Sequence, residues 1–510
     1  MADAFYLTTP LYYVNAKPHI GHAYTTVVAD TLARAHRQRG EEVFLLTGTD
    51  EHGEKVAQAA KAQGLSPKEF ADRTSETFRS LWKLLGISHD HFIRTTDPEH
   101  ERITQRVLEA LHKSAALKPG TYTFWYCVPC ETSWAASDFA DPAKKVCPTC
   151  GRPVEQVTEE DYFLDLEQHR AWLKGHIQAN PAFIRPESRR NEVLAMLEKP
   201  LPPLCVTRPK ERVSWGIEVP FSPTHVTYVW FDALLNYISA LGWPDGERFK
   251  IYWSGVGAVH LVGKDIIRHH CLYWPIILHA LGVAPAKTVF AHGWWLVKGE
   301  KMSKSKGNIV DPQAVVETFG LDAFRYFLLR DIPFGEDGLF SEEAIVKRIN
   351  SDLANDLGNL AYRTLTMLEK HTGGKIPAGK MEETILREIG SAEQEVWEAL
   401  QRIAPADALR SLWELITRAN KLVEERAPWT LAKEGKRAEL EAFLHQLTGL
   451  LRAVAILAWP FMPTAAESIW QQLGFSGELS KERLPAALSA QVPAGQPIRK
   501  SSPLFPRLDK

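Results

Sequence analysis

The chain has 510 residues, of which 45% are hydrophobic and 24% are charged. These are ordinary proportions for a folded protein, and they exclude disorder as the main state. The 60 basic and 62 acidic side chains give a net charge of -2. This balance excludes a nucleic-acid-binding protein whose whole surface is basic, so any polyanion must bind to local basic patches. At roughly 100–200 residues a domain, we expect about three to five domains.

The N-terminal segment alternates strand and helix patterns. Residues 5–9 alternate aromatic, aliphatic and Thr side chains, which predicts a strand that stops at Pro10. Residues 23–37 have apolar side chains at helical spacing, and Gly40 stands where that helix would end. Residues 43–47 predict a second strand. This order is typical of an α/β sheet, whose ligands bind beyond the carboxyl ends of its strands.

The pattern changes twice further along the chain. Residues 121–160 contain cysteine pairs and few long periodic segments, which predicts a small inserted module, and the apolar runs of 221–290 return to the sheet. From about Ala344 the spacing is helical, which predicts a C-terminal helix bundle. The predicted helices are 350–371, 382–403, 407–425 and 439–458.

A histidine motif, Pro18-His19-Ile20-Gly21-His22, opens the first predicted helix. A helix N-terminus offers unpaired N–H groups and a partial positive charge, which suit phosphate. Gly21 would let a nucleotide approach the backbone, and two imidazoles could stabilise charge that builds up in a transition state. Taken alone, the motif could equally be two surface histidines or part of a metal site.

A lysine motif, Lys301-Met302-Ser303-Lys304-Ser305, lies about 280 residues later between Gly299 and Gly307. Two lysines on such a loop could fold over a triphosphate and offset the charge of its leaving group. An isolated motif of this kind is usually a solvated basic loop. The combination with the histidine motif is more specific than either motif alone.

Four of the six cysteines form two pairs, Cys127 with Cys130 and Cys147 with Cys150, with 16 residues between the pairs. This spacing predicts a closed tetrahedral zinc site, one per chain, with no open ligand position and therefore a structural role. A redox dithiol is the alternative, although a redox motif needs no second pair. Cys205 and Cys271 have no such partner, and we expect them to be buried thiols.

The histidine and lysine motifs together resemble those of class I aminoacyl-tRNA synthetases. The rest of the sequence is similar to the methionyl-tRNA synthetase family over nearly the whole chain. The landmarks that carry the resemblance occur in the family's order. They are residues 11–15 (LYYVN), 48–53 (GTDEHG), 214–217 (SWGI), 228–233 (YVWFDA), 263–266 (GKDI) and 427–429 (APW).

The resemblance implies a parallel-sheet Rossmann-type catalytic domain with an inserted zinc-binding module, followed by an all-α anticodon-binding domain. The expected boundaries are 1–116 and 223–290 for the two halves of the catalytic domain, 117–222 for the connective insertion, 291–349 for the lysine loop and stem-contact region, and 350–510 for the helical domain.

The resemblance also implies residue roles. His19, His22, Lys301 and Lys304 would be catalytic, and these four with Gly21 and Asp265 would bind ATP, accompanied by Mg²⁺. A methionine pocket should be apolar and aromatic with one acidic group for the amine. The residues implied for it are Leu11, Tyr13, Asp50, Trp230, Leu234, Tyr237, Ile266 and His270. Asn359, Arg363 and Trp429 would contact the anticodon. Without the resemblance, these aromatic residues could be ordinary core.

The expected activity is ATP-dependent attachment of L-methionine to initiator and elongator methionine tRNA, through methionyl-adenylate. One alternative is a synthetase for leucine, isoleucine, valine or cysteine. The first three usually carry a large editing insertion, whereas about 100 residues are inserted here; a cysteine enzyme would hold zinc in its amino-acid pocket. Another alternative is a noncatalytic RNA-binding protein. We also expect a cytoplasmic monomer with no membrane span, signal peptide or C-terminal dimerisation domain.

Overall fold

A parallel six-stranded sheet organises the N-terminal part of the protein. The structure, a computed structural model, describes residues 3–134, 136–139, 141, 144–301 and 308–508, and gives only the backbone of Ser137 and Lys301. The strands, in chain order, are β1 Ala4–Tyr13, β2 Glu42–Asp50, β3 His91–Arg94, β4 Leu117–Cys127, β5 Thr132–Trp134, β6 Glu155–Leu164, β7 Ile184–Arg185, β8 Leu204–Cys205, β9 Thr207–Pro209, β10 Glu218–Val219, β11 Ser222–Thr227, β12 Ala258–Gly263, β13 Thr288–His292, β14 Trp295–Val297, β15 Glu300–Lys301 and β16 Gly338–Phe340.

Helices cover the sheet and form the C-terminal part. In chain order they are α1 Ile20–Gln38, α2 Glu54–Ala62, α3 Pro67–Leu84, α4 Pro98–Lys113, α5 Glu167–Ala179, α6 Glu187–Met196, α7 Val229–Ser239, α8 Trp274–Ala280, α9 Pro312–Phe319, α10 Leu321–Arg330, α11 Glu342–Arg348, α12 Asn359–Thr372, α13 Glu383–Gln401, α14 Pro405–Arg426, α15 Pro428–Lys433, α16 Arg437–Ala458, α17 Pro463–Gln472 and α18 Ala486–Ser489. Within the described ranges, π-helical segments occur at Phe249–Val256, His269–Tyr273 and Ile349–Gly358.

The sheet order is β3-β2-β1-β12-β13-β7, and every neighbouring pair is parallel. The predicted α/β class is therefore confirmed. The first strand does not stop at Pro10 as predicted, because the pairing of β1 with β2 shifts register between Thr8 and Leu11 and then continues to Tyr13. Proline cannot donate a ladder hydrogen bond and is tolerated at such an irregularity. The continuation carries Leu11 and Tyr13 to the carboxyl edge of the sheet.

Two antiparallel sheets form the middle of the chain. One has the order β5-β4-β6-β8 and the other β10-β11-β9, so the region that holds the cysteine pairs differs in architecture from the parallel sheet. Its chain also returns to that sheet, since β7 pairs with β13 through Val289 and Ile184. A strand of two residues inside a helix-rich stretch gives no readable period-2 pattern, which is why the sequence did not predict it.

The C-terminal part is helical, and its long helices lie close to the four predicted ranges. Their apolar faces join a core that is continuous with the one beneath the sheet. One helix, α16, is long and apolar enough to cross a membrane by length and composition, but 89% of its apolar window is buried inside the protein. The apolar composition of α16 is explained by the position of this helix at the centre of the helical domain.

Candidate active site

A cleft of ≈ 870 Å³ opens beyond the carboxyl ends of β1, β2, β12 and β13. It collects side chains that are far apart in the sequence, because parallel strands all end at this edge. Twelve of the residues predicted from the sequence line this single cavity: Leu11, Tyr13, His19, Gly21, His22, Asp50, Trp230, Leu234, Tyr237, Asp265, Ile266 and His270.

The two histidines of the motif cap the first helix. The Nδ1 atom of His19 accepts from the Gly21 N–H at 3.1 Å, and the Nδ1 atom of His22 accepts from the His19 N–H at 3.2 Å. The rings stack with centroids 3.8 Å apart. Since both Nδ1 atoms are acceptors, each neutral ring carries its proton on Nε2. Burial, and then the neighbouring His19, hold the pKa of His22 well below its usual value.

Gly21 is required by this close packing. A Cβ atom at position 21 would lie 2.9 Å from Cε1 of His19. A larger residue would therefore push the capping imidazole away from the helix start. The capping position of the His19 ring therefore depends on the absence of a side chain at position 21.

Aromatic rings from α7 and from the segment after β12 form part of the cleft lining, which we call the aromatic wall: Trp230, Tyr237, His269 and His270. The indole of Trp230 stacks on His269 with centroids 3.7 Å apart, and the Tyr237 hydroxyl lies 2.7 Å from Nε2 of His270. The other nitrogen of His270, Nδ1, lies 3.0 Å from the Ile266 carbonyl oxygen. Burial lowers the pKa of His270 to about 4, so the ring is neutral at neutral pH and the wall is uncharged there.

Asp50 is an acidic residue of the cleft at the carboxyl end of β2. It is buried, and its Oδ1 atom has no hydrogen-bond partner among the described residues. Burial, followed by the charges of Asp232, Glu131 and Glu51, raises its pKa well above the usual range. A cation placed here would supply both the missing hydrogen bond and the missing counter-charge.

Behind Asp50, a buried network holds Asp232, whose role the sequence did not predict. Its carboxylate oxygens lie 2.7 Å from Nδ1 of His52 and 2.6 Å from Nε2 of His100. Burial acts to raise the pKa of Asp232, but the two histidines outweigh it and lower the pKa. Asp232 and His52 lie within two of the landmark motifs, 228–233 and 48–53, and these motifs could have indicated a functional role for both residues. Nothing in the sequence around His100 indicated its contact with Asp232.

Glu131 and His269 also line the cleft and were missed. Glu131 immediately follows Cys130, and no pattern in the sequence distinguishes it from the other residues of the cysteine module. His269 is buried, and neither of its ring nitrogens has a hydrogen-bond partner in the described part of the chain. A single histidine beside His270 could not be told from a core residue by pattern alone.

The lysine motif is described only in part. The backbone of Lys301 pairs with Leu296 in an antiparallel ladder between β15 and β14. Trp295, in β14, follows the cleft-lining Gly293 and Trp294 and itself lines the cleft. Lys304 lies outside the described residues, as do Met302, Ser303 and Ser305.

The four paired cysteines come together in one cluster, with all four sulfur atoms within 4.8 Å of one another. Cys127 and Cys150 sulfurs are 3.6 Å apart, and those of Cys130 and Cys147 are 3.9 Å apart. These distances bracket the edge, about 3.8 Å, of a tetrahedron of thiolates around a metal at about 2.3 Å. All six cysteines are free thiols, and Cys205 and Cys271 are buried as predicted.

In the helical domain, two of the three predicted anticodon residues come together. The guanidinium of Arg363 lies 5.9 Å from the ring centroid of Trp429 and is paired with Glu424 at 2.8 Å. Trp429 is 49% exposed, because α14 ends at Ala427 in a left-handed conformation and Pro428 starts α15. Asn359 is exposed one turn before Arg363 on α12.

A ligand cleft at the carboxyl edge of a parallel sheet, a histidine-capped first helix and a helical C-terminal domain define a nucleotide-binding α/β enzyme of the class I synthetase type. Comparison with known proteins agrees. Residues 5–365 match the family model for class I tRNA synthetases (M), and residues 373–510 match the anticodon-binding domain of methionyl tRNA ligase. The chain therefore belongs to the methionyl family of class I tRNA synthetases.

Curated relatives match over essentially the whole chain. The chain is 47% identical to a methionine–tRNA ligase of Caldanaerobacter subterraneus subsp. tengcongensis, covering 100% of this chain and 80% of the relative. The corresponding ligase of Thermotoga maritima is 43% identical, covering 99% of this chain and 80% of the relative. The chain thus spans about four fifths of these relatives.

Solved structures match equally broadly. Mycobacterium tuberculosis methionyl-tRNA synthetase in complex with methionyl-adenylate superposes with a TM-score of 0.93 at 39% identity, covering 99% of this chain and 100% of that one. The free state of that enzyme gives 0.87 at 35% identity, covering 100% and 99%. The family models and these relatives make the chain a methionine–tRNA ligase of class I.

Proposed function

We propose that the cleft holds methionine against the aromatic wall and ATP against the histidine motif, so that the amino-acid carboxylate attacks the α-phosphate of ATP. No protein nucleophile takes part; catalysis is by positioning and by stabilisation of charge. The observation that carries this proposal is that residues from four strand ends line one cavity, with a polar half around His19 and His22 and an aromatic half around Trp230 and Tyr237.

Asp50 binds the methionine ammonium in this proposal. Its buried, unpartnered Oδ1 atom and its raised pKa are the signs of a carboxylate that lacks a cation. Leu11, Tyr13, Leu234 and Ile266 complete the methionine pocket, whose apolar character suits a flexible thioether. The ring of Tyr237, held in place because its hydroxyl donates to Nε2 of His270, is an aromatic contact for the sulfur.

His19 and His22 meet the phosphates of ATP. Because both Nδ1 atoms serve the helix cap, the Nε2–H groups are the donors for phosphate oxygens, and the positive end of α1 adds to the attraction. Gly21 and Asp265 bind the adenosine part. Lys301 and Lys304 stabilise the leaving pyrophosphate, and Mg²⁺ bound together with ATP would offset part of the phosphate charge.

Zinc fits the four-cysteine cluster, with Cys127, Cys130, Cys147 and Cys150 as its ligands. Four soft thiolates at tetrahedral separations leave no open coordination position, so the metal serves structure and takes no part in the reaction. The module lies beside the cleft, since Cys130 and Cys150 line it. It would guide the acceptor end of the tRNA towards the adenylate.

The anticodon is read in the helical domain by Asn359, Arg363 and Trp429. An exposed indole beside a guanidinium is a surface on which an unstacked RNA base can lie. In the second step of the reaction, the terminal adenosine hydroxyl of the bound initiator or elongator tRNA attacks the activated carbonyl of the adenylate.

The domain boundaries proposed are those expected from the sequence: 1–116, 117–222, 223–290, 291–349 and 350–510. The two antiparallel sheets, whose strands run from Leu117 to Thr227, support the insertion. We also propose a cytoplasmic monomer. The large exposed hydrophobic residues of the described chain are spread over separate elements, such as Tyr122 in β4, Leu339 in β16 and Leu386 in α13, and form no long apolar strip along one element. Light scattering of the purified chain measures the oligomeric state.

Pyrophosphate exchange tests the proposed use of the cleft. Exchange of labelled pyrophosphate into ATP should require methionine and should not be supported by leucine, isoleucine, valine or cysteine. Aminoacylation should require methionine tRNA in addition. Exchange that occurs with another amino acid at equal efficiency would contradict the pocket assignment, and absence of exchange with all of them would favour a noncatalytic RNA-binding role.

A further inference from the structure

Glu131 connects the cysteine cluster to the amino-acid half of the cleft. It follows Cys130 directly, is buried, and has a left-handed backbone with φ of 48°. Its Oε2 atom accepts from the Tyr13 hydroxyl at 2.7 Å, and its Oε1 atom accepts from the Lys55 N–H at 2.9 Å. One carboxylate therefore holds a residue of the methionine pocket and the first turn of α2.

The backbone of the same loop also contacts two residues at the start of α7. The Trp230 indole N–H donates to the Cys130 carbonyl oxygen at 3.4 Å, and the Tyr228 hydroxyl donates to the Glu131 carbonyl oxygen. The Lys55 ammonium donates to the Pro129 carbonyl oxygen at 3.1 Å. Residues 129–131 are therefore hydrogen-bonded to the start of α7 through Tyr228 and Trp230, to α2 through Lys55, and to β1 through Tyr13.

The Glu131 carboxylate packs closely against Gly53. A Cβ atom at Gly53, where φ is 105°, would lie 2.8 Å from Oε1 and 2.9 Å from Oε2 of Glu131, and 2.7 Å from the Tyr13 hydroxyl oxygen. The carboxylate is packed onto a residue with no side chain, and the oxygen of the Tyr13 hydroxyl, whose proton is donated to Glu131, lies 3.1 Å from the His52 carbonyl oxygen. A displacement of the loop would therefore be transmitted to Tyr13.

We propose that Glu131 is a positioning residue through which the metal-organised cysteine loop sets the shape of the methionine pocket. Two of the cysteines, Cys127 and Cys130, flank the turn that aims this side chain, and the Glu131 N–H donates to Val128 within that turn. Filling the cluster then tightens methionine binding, although the metal touches no substrate. This inference rests on the proposed assignment of the methionine pocket.

The test is direct methionine binding, measured by equilibrium dialysis with labelled methionine, on the metal-loaded full chain. Glu131→Ala should raise the Kd for methionine about tenfold, the scale of a lost hydrogen bond to a charged group, with the metal content and the KM for ATP unchanged. Glu131→Gln keeps one acceptor and should recover most of the affinity. Glu159→Ala is the matched control, since Glu159 is also buried in the insertion but pairs with Arg212; its Kd should equal that of the wild type.

A second arm removes the metal with a chelator. In the wild type, removal of the metal should raise the Kd for methionine. In Glu131→Ala it should raise the Kd little further, because that variant already lacks the hydrogen bond between Glu131 and Tyr13. An unchanged Kd in Glu131→Ala, or loss of the metal in that variant, would overturn the proposal, as would full additivity of the two changes. Asp50→Asn distinguishes failure of the pocket assignment from failure of the role of Glu131. If Asp50→Asn also leaves methionine binding intact, the pocket assignment is wrong. If Asp50→Asn abolishes binding while Glu131→Ala has no effect, only the role proposed for Glu131 is wrong.

Discussion

The guanidinium of Arg325 and the carboxylate of Asp30 lie 2.8 Å apart in the interior, and both side chains are fully buried. Arg325 belongs to α10 and Asp30 to α1. The same guanidinium donates to the carbonyl oxygens of Leu85, Pro460 and Phe461. The pair thus joins the first helix of the sheet domain to the end of α16. Burial acts to raise the pKa of Asp30, but Arg34 and Arg325 outweigh it and lower the pKa to about 2.

Arg325→Met should destabilise the protein by about 3–5 kcal/mol, because a buried charge and three carbonyl groups lose their partner. Urea unfolding measures the loss, with Arg410→Met as the control, since Arg410 is an exposed partner of Asp407. Because the folded pKa of Asp30 lies below the unfolded value of about 3.9, the contribution of the pair is complete above that pH and disappears as the pH falls towards 2. A loss no larger than that of the control would contradict the role of the pair.

His22→Ala should slow adenylate formation by about 10²–10³-fold, the scale for one donor to charge that develops in the transition state. Methionine affinity should hardly change, since the histidine acts on phosphate. Pyrophosphate exchange and methionine binding are measured on the same preparation, with His371→Ala, on α12, as the control. A variant in which only methionine affinity changed would mean that the histidine motif is misassigned.

Methionine binding should release a proton and should tighten as the pH rises towards the raised pKa of Asp50. Below that pKa the free carboxyl group is protonated and must lose its proton before it can pair with the ammonium. Calorimetry in two buffers of different ionisation enthalpy counts the protons released. Asp50→Asn should bind methionine weakly and without this dependence. Binding by the wild type with no proton exchanged across this range would count against Asp50 as the ammonium ligand.

Cys147→Ser should lower the bound zinc from one per chain towards zero and loosen residues around 121–160, because a tetrahedral site that loses one thiolate binds zinc far more weakly. Metal analysis and hydrogen exchange over this segment measure both effects. Cys271→Ser is the matched control, since Cys271 is a buried thiol outside the cluster. A wild-type protein with no metal and full activity would refute the zinc assignment.

Trp429→Ala should weaken tRNA charging and spare pyrophosphate exchange. A base–aromatic stack contributes about 1–3 kcal/mol, which corresponds to a loss of roughly 5- to 150-fold in the use of tRNA. The half-exposed ring lies on the surface, so its removal should cost less stability than the loss of a core tryptophan, about 3–5 kcal/mol. Leu386→Ala, an exposed apolar residue of α13, is the control. Equal losses in the two activities of a folded variant would exclude the anticodon role.

Local patterns in the sequence were sufficient for several features. The helix start at His19-Ile20, the long amphipathic helices and the four cysteines with metal-site spacing could be predicted because each depends on residues within a few positions, or on ligand chemistry that few other arrangements satisfy. The resemblance of the landmark motifs added the side chains of the cleft. Twelve of these are now seen to share one cavity, although their functional roles remain predictions.

Only the tertiary structure decided how those residues meet. The continuation of β1 past Pro10 and the two-residue strand β7 depend on partners that come from distant segments, so no local period reveals them. The links from Asp232 to His52 and His100, from Glu131 to Tyr13, and from Arg325 to Asp30 join residues 118 to 295 positions apart. Burial and neighbouring charge also set the pKa values of Asp50 and His22, and both are properties of the packed chain that a residue's own sequence neighbours do not determine.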